Sequence, residues 1–348
     1  MSRIKWIDSL KGFACIIVMV THIIASDPQI GMYANGCGKI GVWLFMLISG
    51  MLYAKSSFHQ NKFSIRGLLD FYEKKIIRIY PSYFFALLSL LLLEYINLAG
   101  VKDNLLFQSA WAHLWYIPVI LKFYLIAPVF TLLKWVVDKN EQLKGRFYCL
   151  LLVIIGVVFA ILFPYPQYPE NSIQLYWYLP VFIAGIVLGS LKWGNNKQTV
   201  LADIGAAIGI IVILILTPLG RELLFGAPLS RYLQNKYLRI GACWILVILG
   251  ILYGKRTRRI VESIPGLSFV SKYSFEFYLA HYIILWWIGS NLPNDIWLKG
   301  LITITASFIF AVPIRRGLDW ITRKVDKSIQ LGLIVAIYTV LVVWGFTV

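Results

Sequence analysis

The sequence predicts an all-α, polytopic integral membrane protein, a bundle of about 10–11 transmembrane helices with the N-terminus in the cytoplasm. Three observations carry that prediction. Hydrophobic residues make up 59% of the 348 residues and charged ones only 14%, with a mean hydropathy of +0.74, far above an ordinary soluble domain. Apolar runs of the roughly 20 residues needed to cross a hydrocarbon core of about 30 Å recur from one end to the other. The short segments between them gather the basic residues. Strands of about ten residues alternating apolar and polar, the pattern of a β-barrel, do not occur in the sequence.

In order, the runs fall at 10–26, 38–54, 75–97, 112–134, 147–163, 175–191, 200–217, 239–253, 267–290, 297–313 and 330–347. With the N-terminus inside, the cytoplasmic segments hold 25 of the 33 Lys and Arg residues, among them Lys74, Lys75 and Arg78, the "GKRTRR" stretch, and Arg315 and Arg316. That bias fixes the orientation as N-in and C-out. A net charge of +17 therefore sets topology and attracts anionic lipid or a cytosolic polyanion, and it does not call for nucleic acid. The first run lacks the small-residue cleavage pattern of a signal peptide. Cys15, Cys149 and Cys243 fall inside runs and Cys37 stands alone, so neither a disulfide nor a Cys-based metal site is expected. Mostly short connections leave 1–348 as a single membrane-embedded domain whose chemistry lies among the helices.

Polar residues inside such runs are costly and therefore informative. In "IDSLKGFACIIVMVTH", Lys11 and His22 are eleven positions apart. A helix puts them within about 20° of one face and about 16 Å apart. That stripe, from a cation at the inner edge to an imidazole past mid-membrane, suits a site that accepts an anion from the cytoplasm, or a histidine bonded to a neighbouring helix. Asp8 either pairs with Lys11 or stabilises the helix start. His113, beside Trp115 and Tyr116, suits an interfacial aromatic belt or a sugar-stacking surface. Ser274 and His281 are two turns apart and share a face. Glu276 is a buried carboxylate candidate, yet about 140° around the helix from His281, which argues against their direct pairing. Ser49, next to Gly50, is either an acyl carrier or a packing contact. The stretches 163–177 and 217–239 are the longest outer loops and candidates for acceptor recognition, with Asn171, Gln174, Arg221, Glu222 and Arg231. His59, in an inner basic segment, has no assigned role.

The opening stretch resembles the first helix of the membrane-bound acyltransferase-3 family, approximately Leu-Asp-x-Leu-Arg-Gly-x-Ala followed by a hydrophobic run and His. Asp8, Leu10, Gly12, Ala14 and His22 match, with Lys11 in place of the family's arginine. The lysine keeps the charge and loses the guanidinium's bidentate grip. "WLFMLISGMLYA" is similar to the family's second helix through Ser49 and Gly50, and "YEKKIIRIYPSY" to its Arg-x-x-Arg-Ile-x-Pro stretch through Lys75, Arg78 and Pro81. "HLWYIPVILKFYLIAP" resembles the next block through His113, Trp115, Tyr124 and Pro128, with Ile120 and Leu121 where some members have two glutamates. That difference places the chain nearer the standalone surface-glycan members than those with an added extracytoplasmic domain. "SKYSFEFYLAH" is similar to Gly-x-x-Ser-x-x-x-Tyr-Leu-x-His through Ser274, Tyr278 and His281.

The resemblance implies transfer of an acetyl group from acetyl-CoA, a co-substrate rather than a resident cofactor, to a hydroxyl of an envelope or secreted glycan at a bacterial cytoplasmic membrane. His22 would be the general base, with Lys11 and Asp8 beside it. Lys11, Lys75 and Arg78 would meet the coenzyme phosphates, Ser49 the acyl arm, and His113, Trp115, Tyr124, Ser274, Tyr278 and His281 the carbohydrate. No metal is implied. Competing readings are a larger donor such as succinyl-CoA, or a transporter or flippase for a glycan or lipid-linked sugar. The paired halves and Gly/Pro-broken helices expected of such a transporter are not evident.

Overall fold

A computed structural model describes residues 5–31, 37–61, 63–137, 178–190, 199–216, 254–291 and 295–347. Regular structure among them is helical throughout. In chain order the helices are α1 (Lys5–Ala25), α2 (Cys37–Ala54), α3 (Ser57–Gln60), α4 (Ile65–Leu92), α5 (Leu98–Leu105), a 3-10 turn (Ala112–Trp115), α6 (Tyr116–Val137), α7 (Leu179–Ser190), α8 (Thr199–Leu216), α9 (Lys255–Ser263), α10 (Leu267–Asn291), α11 (Ile296–Lys324) and α12 (Lys327–Phe346). Five helical stretches among the described residues are long and apolar enough to cross a membrane: α1, α4, the 3-10 turn with α6, α11 and α12. The chain is an all-α, polytopic membrane helix bundle. The runs at 147–163 and 239–253, the loops at 163–177 and 217–239, and Cys149 and Cys243 lie outside the described residues.

Two helices extend well past the apolar runs. α4 begins at Ile65 rather than near 75 because Ser64 caps it, its hydroxyl accepting from the Gly67 N–H at 3.0 Å. Lys74 therefore rides the same helix as Lys75 and Arg78, and the 28 residues of α4 rise about 42 Å, more than the hydrocarbon core alone. α11 runs through Pro313 to Lys324 and so carries Arg315 and Asp319 on a helix as well. "GKRTRR", expected as a loop, opens the short helix α9. Asp203 on α8 accepts from the Arg256 and Thr257 N–H groups and the Thr257 hydroxyl at its start, which gives that helix end the capping its own Gly254 lacks.

Contacts divide the chain into two units: Met1–Leu52 with Cys149–Pro166 and Pro180–Ser274, and Tyr53–Tyr148 with Gln167–Leu179 and Phe275–Val348. In the first, α1 packs on α9 and on the start of α10, and α9 on α8. Gly12 lies against the Leu267 backbone, where a Cβ would collide with the carbonyl. Gly50 and Gly185 do the same for α2 and α7, each facing the other helix's backbone. This is close approach through small residues, the usual substitute in lipid for a hydrophobic driving force. In the second unit, α12 lies on α4 and α5, and α11 contacts α4. α3 packs on α6, with buried His59 placing Nδ1 3.1 Å from the Thr131 hydroxyl.

Candidate active site

In the first unit, α1 is unbroken from Lys5 to Ala25, so Lys11 and His22 keep the common face that their spacing implies, both half-buried. The inner half of this helix is pinned to the start of α10. Asp8 accepts from the Ser271 hydroxyl at 3.4 Å, and the Cys15 thiol donates to the Ser274 carbonyl at 3.7 Å. Ser274 is itself buried and donates to the Ser271 carbonyl at 3.0 Å. Ser49 is half-buried next to the Gly50 crossing.

The second unit contains two buried polar clusters, both built on α10. At the basic end, Glu276 is 3% exposed and meets three partners from other helices. Arg78 of α4 grips it with both terminal nitrogens, at 2.5 and 3.4 Å, and the Ser82 hydroxyl donates to it at 3.1 Å. Arg315 of α11 stands 3.7 Å from the same carboxylate and holds Asp319 at 2.7 Å. Two guanidiniums and two carboxylates thus balance, as buried charge requires. Arg78 also lies over the Phe275 ring.

Toward the aromatic end, the cluster is of imidazoles and a phenol bonded to backbone carbonyls. His113 Nε2 is 3.2 Å from the Leu279 carbonyl, and His281 Nδ1 is 2.6 Å from the Tyr278 carbonyl. A carbonyl only accepts, so each ring carries a proton on that nitrogen. The Tyr278 hydroxyl donates to the His113 carbonyl, and the two imidazole centroids are 5.1 Å apart. Tyr282 packs on His113 at 5.1 Å, and Trp111 contacts His113, Tyr282 and Trp286 while stacking on Tyr95. The turn that presents His113 is strained: Ala112 holds φ at 40°, a left-handed conformation costly for a residue with a Cβ.

The structure thus joins His113, Tyr278 and His281 as the sequence grouped them. It brings Lys75 over the Tyr124 ring at 4.1 Å, uniting a predicted phosphate contact with a predicted sugar contact in one cation–π pair. Trp115 is buried and stacked on Tyr178 at 5.0 Å. Arg78, expected to meet a phosphate, is engaged with Glu276. Sequence reasoning missed Ser82, Arg315 and Asp319 as partners of this cluster, and Tyr95, Trp111, Tyr282 and Trp286 around the histidines. The spacing of Tyr282 and Trp286, one and two helical turns beyond Tyr278, was the available signal for part of the latter group.

Comparison with known proteins adds chemistry to this geometry. A family model described as an acyltransferase domain matches residues 4–316. Three proteins of Staphylococcus aureus, from strains COL, MSSA476 and MW2, each carry the name "Putative O-acetyltransferase" and are 20% identical to this chain over 96% of its length. The chain spans 62% of the length of these curated relatives. No solved structure matches.

Proposed function

We propose, from the premise that the chain belongs to this acyltransferase family, that it moves an acetyl group from cytosolic acetyl-CoA to a hydroxyl of an envelope or secreted glycan at a bacterial cytoplasmic membrane. The observation that carries the reading is the pair of imidazoles, His113 and His281, each with its N–H directed onto a backbone carbonyl and set among aromatic rings. Neutral imidazoles suit an alcohol nucleophile, because the hydroxyl keeps its proton at neutral pH unless a base takes it in the transition state. In the transfer, the hydroxyl oxygen bonds to the thioester carbonyl carbon and the carbon–sulfur bond breaks. The hydroxyl proton passes through the base to the departing CoA thiolate.

His22 is the base in this reading and Lys11 the cation for the coenzyme's phosphates. They stand on one face of α1, in the half-buried setting such a path needs. A lysine serves a phosphate as a point charge, so Lys11→Arg retains activity while Lys11→Ala raises KM for acetyl-CoA by about tenfold to a hundredfold, the loss of one charge-assisted contact. His113, Tyr278 and His281 hold the acceptor. The carbonyl-held pair also supports a second reading, in which the base is His281 or His113.

Purified protein in detergent, supplied with labelled acetyl-CoA and candidate glycans, tests this by CoA release and label transfer. His22→Ala should lower kcat by about a hundredfold or more, the usual contribution of a general base. Full activity in both His22→Ala and Lys11→Ala would sink the assignment to α1; loss of kcat in His281→Ala alone would select the second reading. Glycan movement across a vesicle without acetyl-CoA binding would make the chain a transporter.

A further inference from the structure

The second unit contains a cavity of 460 Å³ between α4, α10 and α11, a volume in the range of small-molecule sites. Its walls are almost wholly hydrocarbon: Phe85 and Leu92 from α4, Ile284 and Trp287 from α10, Ile302 and Phe310 from α11. Ser82 and Glu276 close it at the basic end, where the ion cluster begins. From there it follows α4 to Leu92 and Leu93 and α10 to Ile288, ten to twelve residues, or about 15–18 Å of helix. That is about half the hydrocarbon core, the depth of one leaflet. Phe85, Leu92, Trp287 and Phe310 are all exposed among the described residues, so the cavity is open along its length.

What lies at the other end gives the cavity an occupant. Trp287 lines it and Trp286 belongs to the aromatic cluster; Leu93 lines it and Tyr95, two residues on, stacks on Trp111. The hydrocarbon groove therefore hands over directly to the rings around His113. Broad faces of Trp and Tyr accept the C–H face of a sugar ring, and such side chains are enriched where a lipid changes from chain to headgroup. Lys299 precedes Ile302 by three residues on α11, on the face that Ile302, Ala306 and Phe310 share. A cation in that register complements an anionic junction between chain and sugar.

We propose that this groove seats the hydrocarbon chain of a membrane-borne acceptor, an amphiphile whose chain is joined through an anionic phosphate to a saccharide, so that its sugar rests on the Tyr95, Trp111 and Trp286 rings beside His113. The proposal rests on the acyl-transfer reading only for what happens to the sugar afterwards; the seating itself is a binding property.

Protein in nanodiscs is photolabelled with a diazirine-tailed dodecyl phosphoglucose probe and the labelled peptides are mapped. Label should fall on 82–93 and 276–288 and be competed by unlabelled dodecyl phosphoglucose but not by glucose 1-phosphate or phosphatidylcholine. Ala306→Trp, which fills the groove, should cut labelling at least tenfold while the thermal midpoint in detergent stays unchanged. Ala280→Trp provides a second filling should the first not fold. Lys299→Gln should weaken competition by dodecyl phosphoglucose several-fold and leave that by dodecyl glucoside unchanged. Competition by plain phosphatidylcholine, or undiminished labelling in both filled variants, would overturn the proposal in favour of ordinary lipid in the groove; equal loss of both competitors in Lys299→Gln would overturn the anionic junction. Specific labelling in a protein that never releases CoA would leave the seating in place and remove the acyl-transfer reading instead.

Discussion

Two places on α10 in the second unit, Glu276 and His281, bury polar groups in opposite ways. At Glu276 full charges are buried, and each is answered by an opposite charge from another helix. At His281 the groups are held by backbone carbonyls, His281 by that of Tyr278 on its own helix and His113 by that of Leu279 across the helix contact. A buried ion pair resists change, since removing one member strands the other in a medium of low dielectric. An imidazole is the side chain whose ordinary pKa lies nearest neutral pH. The contrast assigns the first cluster to holding α4, α10 and α11 together and makes the second the one to probe for chemistry.

Breaking the first cluster should produce the largest effect. Glu276→Ala leaves the Arg78 and Arg315 guanidiniums facing each other, and should cost about 3–5 kcal/mol of stability, read as loss of folded protein in detergent or a large fall in Tm. The pair Glu276→Leu with Arg78→Met should recover part of that loss; if it recovers none, the ion pair is not what holds these helices. The second cluster should respond in the reverse sense. His281→Phe keeps the ring volume and removes the donor, so with His281 holding the acceptor KM for the glycan should rise several-fold while Tm changes little, and a fall of kcat by about a hundredfold or more would make it the base instead. A Tm drop that accounts for the whole loss would reduce His281 to packing. Ser82→Ala is the smallest change: one hydrogen bond to the carboxylate disappears, about 1.5 kcal/mol, and measured acetyl transfer per folded molecule should be unaltered.

The sequence made the helical segments visible because lipid leaves a long apolar run little choice of structure. Its boundaries erred where polar residues continue a helix beyond the hydrocarbon, at Arg66 to Lys75 of α4 and Arg315 to Lys324 of α11, since hydropathy is blind to a helix that has left the lipid. Helical spacing grouped Ser274 with His281 and argued against a pairing of Glu276 with His281, both local statements. It had no means to find Arg78 for Glu276, 198 residues away, because spacing within one helix says nothing about which helix lies beside it. The aromatic rings around His113 were hidden for a related reason: Tyr95, Trp111 and Trp286 come from three elements and meet only when α4, the turn and α10 are packed.

The partnership of Arg78 with Glu276 has a consequence for how the protein is made. At about 5–20 residues per second, α4 leaves the ribosome some 10–40 s before its carboxylate exists. During that wait the Arg78 guanidinium must reach for water at the membrane edge, because alone at mid-bilayer it is expensive. The ion pair can therefore form only after α10 has been made, a late contact that couples the first third of the chain to the last.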